Sequence, residues 1–327
     1  MTPSLLRSAF GKSESSKFFY LTHFLFCCAM SDMVDLNFPK KNATEWLAAG
    51  KFFEYKKFQI FFIQEGRGQN LILLHGFPTS SWDYSKIFNG LSRYFNTIAI
   101  DFLGFGYSSK PKKHTYTLIE QTDIIENFIE KNALRRVKFV FHDYAVSVGQ
   151  EILARHLERN ERKYEIDGAV FLNGGLFPHL HRPTFKQKLL ATPILGAFLS
   201  RFYDEKKFGV AFSQVFGKNT KPTEKEISVL WKLITYPNKV LIPHKLLKYI
   251  AERRVHGERW KNALLKTEVP LLFINGGEDP VSGSHLADEI EKLPVKNKKL
   301  IRWESIGHYP QWENPEESFK EIYEFLK

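Results

Sequence analysis

Residues 135–147 read RRVKFVFHDYAVS. The first eight, RRVKFVFH, hold Val and Phe in a short apolar run, the composition of a buried strand. A helical pattern starts directly after Asp143 and continues to about residue 159. A strand that passes into a helix through one tight turn is half of a βαβ unit, and the rest of the chain supplies the other units. Toward the N-terminus, FFEYKKFQIFFIQEG (52–66) predicts an aromatic β-hairpin. NLILL (70–74) predicts a buried strand, residues 81–94 a helix, NTIAID (96–101) a strand and residues 117–132 a helix with apolar positions at helical spacing. Toward the C-terminus, strands are predicted at GAVFLN (168–173), PLLFIN (270–275) and KKLIRW (298–303), with helices near 284–293 and 316–327. Alternating strands and helices imply right-handed crossovers and a mostly parallel sheet covered on both faces. Between 176 and about 265 the rhythm breaks into a helical, aromatic stretch, expected to be a lid over the carboxyl edge of the sheet, where such folds bind ligands.

Composition agrees with one large α/β domain. The chain has 327 residues, 43% hydrophobic and 25% charged, which excludes a disordered tail, a collagen-like fibre and a disulfide scaffold. Aromatics reach 15%, with 30 Phe, which suits an apolar pocket. The two cysteines, Cys27 and Cys28, are adjacent, so neither a disulfide framework nor a cysteine metal site is expected. The formal charge is +11, but the basic residues are scattered in short clusters between acids. A solvated basic surface is expected rather than a nucleic-acid interface, and attraction to anionic lipid stays open.

Residues 18–30, FFYLTHFLFCCAM, form an apolar run behind Arg7, Lys12 and Lys17. Thirteen residues fall short of the roughly 20 that a spanning helix needs. A positive flank, a short apolar run and small residues at Ala29 and Ser31 have the shape of a signal sequence or weak anchor. The expected organisation is a leader (1–44), a core (45–175), a helical lid (176–265) and a second core segment (266–327).

Chemistry-bearing motifs fall at the carboxyl ends of the predicted strands. His75-Gly76-Phe77-Pro78 can offer free backbone N–H groups at a tight turn. Asp101 to Ser108 is a glycine loop that lacks a complete dinucleotide fingerprint. His142-Asp143-Tyr144 occupies the place of a nucleophile elbow, with Asp143 where a serine often stands. Gly276-Gly277-Glu278-Asp279-Pro280 follows one strand and Gly307-His308-Tyr309-Pro310 the next. The chain order Asp143, Asp279, His308 is nucleophile, acid, base.

HGFPTSSWDY (75–84), DFLGFGYSSKP (101–111), HDY (142–144) and GHYPQWENP (307–315) together resemble the epoxide hydrolase and haloalkane dehalogenase branch of the α/β-hydrolase superfamily. NGGLFPHLHRP (173–183) and RWKNAL (259–264) resemble its mesoderm-specific transcript group. The resemblance covers about residues 45–327. It implies an eight-stranded sheet and a cofactor-free, metal-free hydrolysis of a small apolar substrate. Asp143 would attack carbon and form an alkyl ester, His308 would activate water, and Asp279 would orient His308. Phe77 and Tyr144 would give oxyanion N–H groups. His75 and the lid tyrosines Tyr203, Tyr236 and Tyr249 would face substrate, one tyrosine binding the epoxide oxygen. It also implies the endoplasmic reticulum or its membrane as location, the cytoplasm if residues 18–30 do not act as a signal.

Each residue also has a plainer use: Asp143 as a helix N-cap, Asp279 as a turn acid with Glu278 beside it, His308 as a loop histidine. Ser147, the rival nucleophile, lies one turn into the helix. Phe141, two before Asp143, stands where the family has a small residue, and two outcomes are open: local shifts accommodate the ring, or it presses on the adjoining helix start and distorts the elbow. A distorted elbow would leave a catalytically weak, membrane-associated lipid-binding protein as the alternative. Phe77 and Tyr144 replace the Asn and Trp of a dehalogenase halide site, and neither side chain offers the same donor, so epoxide opening is preferred to dehalogenation.

Overall fold

The order β1-β2-β4-β3-β5-β6-β7-β8 runs across one eight-stranded sheet. The computed structural model describes residues 42–180, 192, 203–237, 239 and 241–327. The apolar run at 18–30, both cysteines and part of the stretch expected to form a lid lie outside the described residues. β1 (Lys51–Tyr55) and β2 (Phe58–Glu65) form the expected hairpin, and β2 pairs antiparallel with β4 (Asn96–Ile100). All other pairings, among β3 (Asn70–Leu74), β4, β5 (Arg136–His142), β6 (Glu165–Leu172), β7 (Leu271–Gly276) and β8 (Lys298–Trp303), are parallel. β3 lies between β4 and β5, so the crossovers on its two sides diverge and a crevice opens at their carboxyl ends. His75 and Asp143 each stand immediately after one of these strands.

Helix boundaries follow their caps. Thr117 accepts from the Glu120 N–H and starts the Leu118–Lys131 helix, one residue inside the expected span. Residues 81–94, expected as one helix, instead form a 3-10 turn at Ser81–Tyr84 and a short helix at Phe88–Ser92. Side chains of the first turn bond inward: the Tyr84 hydroxyl donates to the Leu74 carbonyl at 2.8 Å, and Thr79 donates to Asp83 at 2.5 Å. These ties hold the turn against the end of β3 and stop it propagating as a helix.

A row of phenylalanines crosses the middle of the sheet. Phe141 on β5 pairs in register with Phe171 on β6, and Phe171 with Phe273 on β7, at ring separations of 5.1 and 5.4 Å. Phe139 stacks on Phe141 at 5.1 Å. Each buried Phe contributes about 2–3 kcal/mol of burial. The high phenylalanine content is thus spent in part on core packing.

This row also explains how the bulky Phe141 fits. A Cβ at Gly149, in the Tyr144–Glu158 helix, would lie 2.7 Å from two ring carbons of Phe141. The bare glycine backbone gives the ring the space that a small residue would otherwise leave unused. Asp143 holds φ 46° and ψ −99° with the ring in place, so of the two outcomes the structure shows the accommodated one. Gly149→Ala is expected to destabilise the chain by about 1–3 kcal/mol through overpacking, despite alanine's helix preference of about 1 kcal/mol. With Phe141→Ala present, the same change should become stabilising. Thermal unfolding of the four proteins in this cycle measures the sign, and a stabilising effect in both backgrounds would remove glycine's role.

The described part of residues 176–265 holds helices Glu205–Ser213, Glu224–Thr235, Pro243–Leu246 and Tyr249–Lys266, with no strand among the described residues. The last of these packs along the Tyr144–Glu158 helix. Trp260 Nε1 donates to Glu151 at 2.7 Å, and Arg259 pairs with Glu158 at 2.7 Å. RWKNAL therefore ties this helix to the one that carries the elbow.

Candidate active site

Asp143 is 4% exposed, at the end of β5, in a left-handed conformation that an L-residue keeps only when its surroundings hold it there. Its N–H donates to the Asn173 carbonyl at 2.9 Å. Gly76 stands across from it. A Cβ at that position would lie 2.9 Å from the Asp143 Cβ and 2.8 Å from a ring nitrogen of His142, so the close approach of the two turns requires glycine. That approach lets the Phe77 N–H donate to Asp143 Oδ2 at 3.0 Å. Tyr144 begins the helix, where N–H groups have no intrahelical acceptor.

His308 Nε2 lies 3.8 Å from Asp143 Oδ1, and its Nδ1 lies 2.7 Å from Asp279 Oδ2. All three side chains are buried. Asp279 is held from several sides. Ser282 Oγ and Asn173 Nδ2 donate to its Oδ2 at 2.6 and 2.9 Å, and the Val281 N–H donates to its Oδ1 at 2.7 Å. Glu278, the neighbouring acid, turns away and accepts from the Lys218 N–H at 2.6 Å.

The electrostatics follow from this geometry. Burial alone would push His308 down, but the charge of Asp279 and the hydrogen bonds and charge of Asp143 outweigh it and hold the imidazole at about 10. Burial likewise works to raise both carboxyls, but His308 outweighs it and keeps each below its ordinary value. Near neutral pH the site is an imidazolium between two carboxylates.

Asn173 and Glu313 were not singled out from the sequence. Asn173, at the end of β6, accepts from Asp143 through its main chain and donates to Asp279 through its side chain, so one residue spaces the two acids. Glu313 accepts from the N–H groups of Gly307 and Tyr309, which flank His308, and from Gly217 N–H, each at 2.8 Å, and from Thr220 Oγ1 at 2.5 Å. Both residues lie inside stretches that carried the family resemblance, NGG and WENP, but their partners are distant in sequence.

The remaining expected site residues separate. His75 is fully buried, with Nδ1 donating to Gly76 O at 2.8 Å and Nε2 accepting from the Phe102 N–H at 3.1 Å. Burial pushes it down to about 3, so it stays neutral, and both its nitrogens serve the backbone. Tyr203 packs against Trp231, and Tyr236 is 37% exposed against Tyr107. Tyr249 alone of the three packs on the elbow, 5.1 Å from the Tyr144 ring and 6.1 Å from Phe77. Burial first, and then the Asp143 charge, push its hydroxyl well above the ordinary tyrosine value, so it remains a donor.

Residues 69–315 match a protein-family model described as the alpha/beta hydrolase fold. The chain belongs to the α/β-hydrolase family. It is 38% identical to the mesoderm-specific transcript protein of Mus musculus over 279 residues, 83% of each chain. Among solved structures, the haloalkane dehalogenase DatA from Agrobacterium tumefaciens C58 is similar with a TM-score of 0.68 and 22% identity, covering 85% of this chain and 95% of that one. The epoxide hydrolase CorEH is similar with a TM-score of 0.67 and 16% identity, covering 84% and 97%. These two likenesses concern the α/β-hydrolase fold. Within that fold Asp143, Asp279 and His308 stand after β5, β7 and β8.

Proposed function

We propose that this α/β-hydrolase opens an apolar, epoxide-like substrate through an ester on Asp143. Asp143 Oδ1 attacks an epoxide carbon. The carbon–oxygen bond of the ring breaks, and the released oxygen takes a proton from the Tyr249 hydroxyl or from water. With the Asp143 charge gone, His308 releases its proton to solvent, from which the Tyr249 oxygen recovers its own, and then removes a proton from water, which attacks the Asp143 carbonyl carbon. Negative charge gathers on Oδ2, where the Phe77 and Tyr144 N–H groups receive it. Collapse expels the diol oxygen, which takes the proton held by His308, and the carboxylate returns. The observation that carries this is a buried carboxylate at a positive-φ elbow, with one oxygen on the Phe77 N–H and the other facing the His308 imidazole. The phenyl and phenol rings of Phe77, Tyr144 and Tyr249 around it support an apolar substrate.

A single turnover in ¹⁸O-water, with protein in excess over a panel of apolar epoxides, tests this chemistry. The diol should be unlabelled, and the tryptic peptide 139–155 should gain one heavy oxygen. Labelled diol with an unlabelled peptide would mean direct water attack, and absence of both products across the panel would favour the weakly catalytic lipid-binding alternative. The apolar run at 18–30 supports placing the protein at the endoplasmic reticulum membrane, which fractionation of cells with and without residues 1–30 checks. No helix among the described residues is long and apolar enough to cross a membrane.

A further inference from the structure

Behind the elbow lies a buried cation that the proposed chemistry does not use. Arg253 sits in the Tyr249–Lys266 helix and is 1% exposed. Its Nη2 donates to the main-chain carbonyl of Asp143 at 2.9 Å, and its Nε donates to Ser147 Oγ at 2.7 Å. Its guanidinium lies over the Tyr249 ring, 4.5 Å from the centroid, and Nη1 has no hydrogen-bond partner among the described residues. No carboxylate pairs with it within 4 Å among the described residues. Its neighbours' acids are engaged elsewhere: Glu252 accepts from the Leu118 and Ile119 N–H groups, and Glu151 from Arg155, Arg259 and Trp260. A buried charge without an ion-pair partner is costly, and a site that keeps one gains something from it.

We propose that Arg253 is a positioning residue that clamps the nucleophile elbow from behind. This rests on the assignment of Asp143 as nucleophile. The two peptide groups of Asp143 are then held from opposite sides, its N–H by Asn173 and its carbonyl by Arg253. These two bonds hold Asp143 at the positive φ that an L-residue otherwise avoids. The clamp keeps the carboxylate aimed between Phe77 and His308. Arg253 and Tyr249 are four residues apart on one helix, so a single turn delivers both the clamp and the ring that covers it. The charge of Arg253 also adds to that of His308 in keeping Asp143 ionised.

The test uses the full chain carrying His308→Gln, in which ester formed on Asp143 accumulates. Alkylation by an apolar epoxide is followed by intact mass, alone and with Arg253→Met or Arg253→Lys. A misplaced nucleophile loses about 10- to 100-fold in rate. Arg253→Met should therefore lower the maximal alkylation rate by that factor, with the half-saturating epoxide concentration changed less than about twofold, and Arg253→Lys should recover most of the rate. Equal rates in the Met variant overturn the proposal. So does a loss of rate that Lys does not recover and that tracks a lowered melting temperature, which marks a purely structural arginine. If His308→Gln itself forms no ester, the assignment of Asp143 fails, and amide exchange at residues 143–147 decides the clamp. Faster exchange in the Met variant, restored by Lys, supports it, and unchanged exchange overturns it.

Discussion

Replacing His308 by glutamine should stop the enzyme after one event, with each chain heavier by the mass of one substrate. Glutamine keeps a hydrogen-bonding side chain but cannot take a proton from water. In the proposed mechanism attack by Asp143 needs only its ionised carboxylate, so the ester should still form. Its hydrolysis should slow by about 10²- to 10⁴-fold, the usual worth of a general base. The two half-reactions should also respond differently to pH. In the free enzyme His308 is held at about 10, partly by the Asp143 charge. Alkylation removes that charge, so the imidazole falls toward its ordinary value and becomes a base at neutral pH. Ester formation should therefore be flat across the neutral range, and ester hydrolysis should rise with pH through a midpoint below 10. Mass spectrometry of the 139–155 peptide across pH reads both. Turnover at the native rate without any adduct would exclude an ester intermediate.

The second large effect is at Asp143. Asp143→Asn removes the proposed nucleophile while keeping its shape and its bond from the Phe77 N–H. Turnover should fall by about 10⁴-fold or more, as nucleophile deletions do when no other group can take the role. The same change should lower the His308 midpoint by about 1–3 pH units, because an opposite charge has left its side. Histidine titration by NMR checks this without any substrate. A full rate in the Asn variant would move the chemistry to another residue, and an unmoved His308 would mean that Asp279 alone sets its charge.

Much of this arrangement is visible in the sequence because it is local. The strand at 298–303 and the hairpin at 52–66 follow from composition and period, and Asp143, Asp279 and His308 stand out because each directly follows a strand. The residues that were not legible act through distant partners. Arg253 reaches Asp143 across 110 positions, Asn173 reaches Asp279 across 106, and Glu313 reaches Gly217 across 96. Phe141 looks disruptive in isolation, and only Gly149, eight positions on and in the following helix, shows why it fits. The helix expected at 81–94 breaks because Tyr84 and Thr79 bond into the core rather than outward, which periodicity does not record. Three tyrosines within residues 176–265 look alike in sequence, and only the packing of the Tyr249–Lys266 helix brings one to the elbow.

Glu313 has a consequence for timing. One carboxylate fastens both the loop that carries His308 and the chain around Gly217 and Thr220, which lies between the Glu205–Ser213 and Glu224–Thr235 helices. That chain cannot swing aside without unfastening the imidazole loop as well. In the proposed mechanism a shift of that chain would therefore also disturb the imidazole, so one carboxylate makes the two segments move together rather than one after the other.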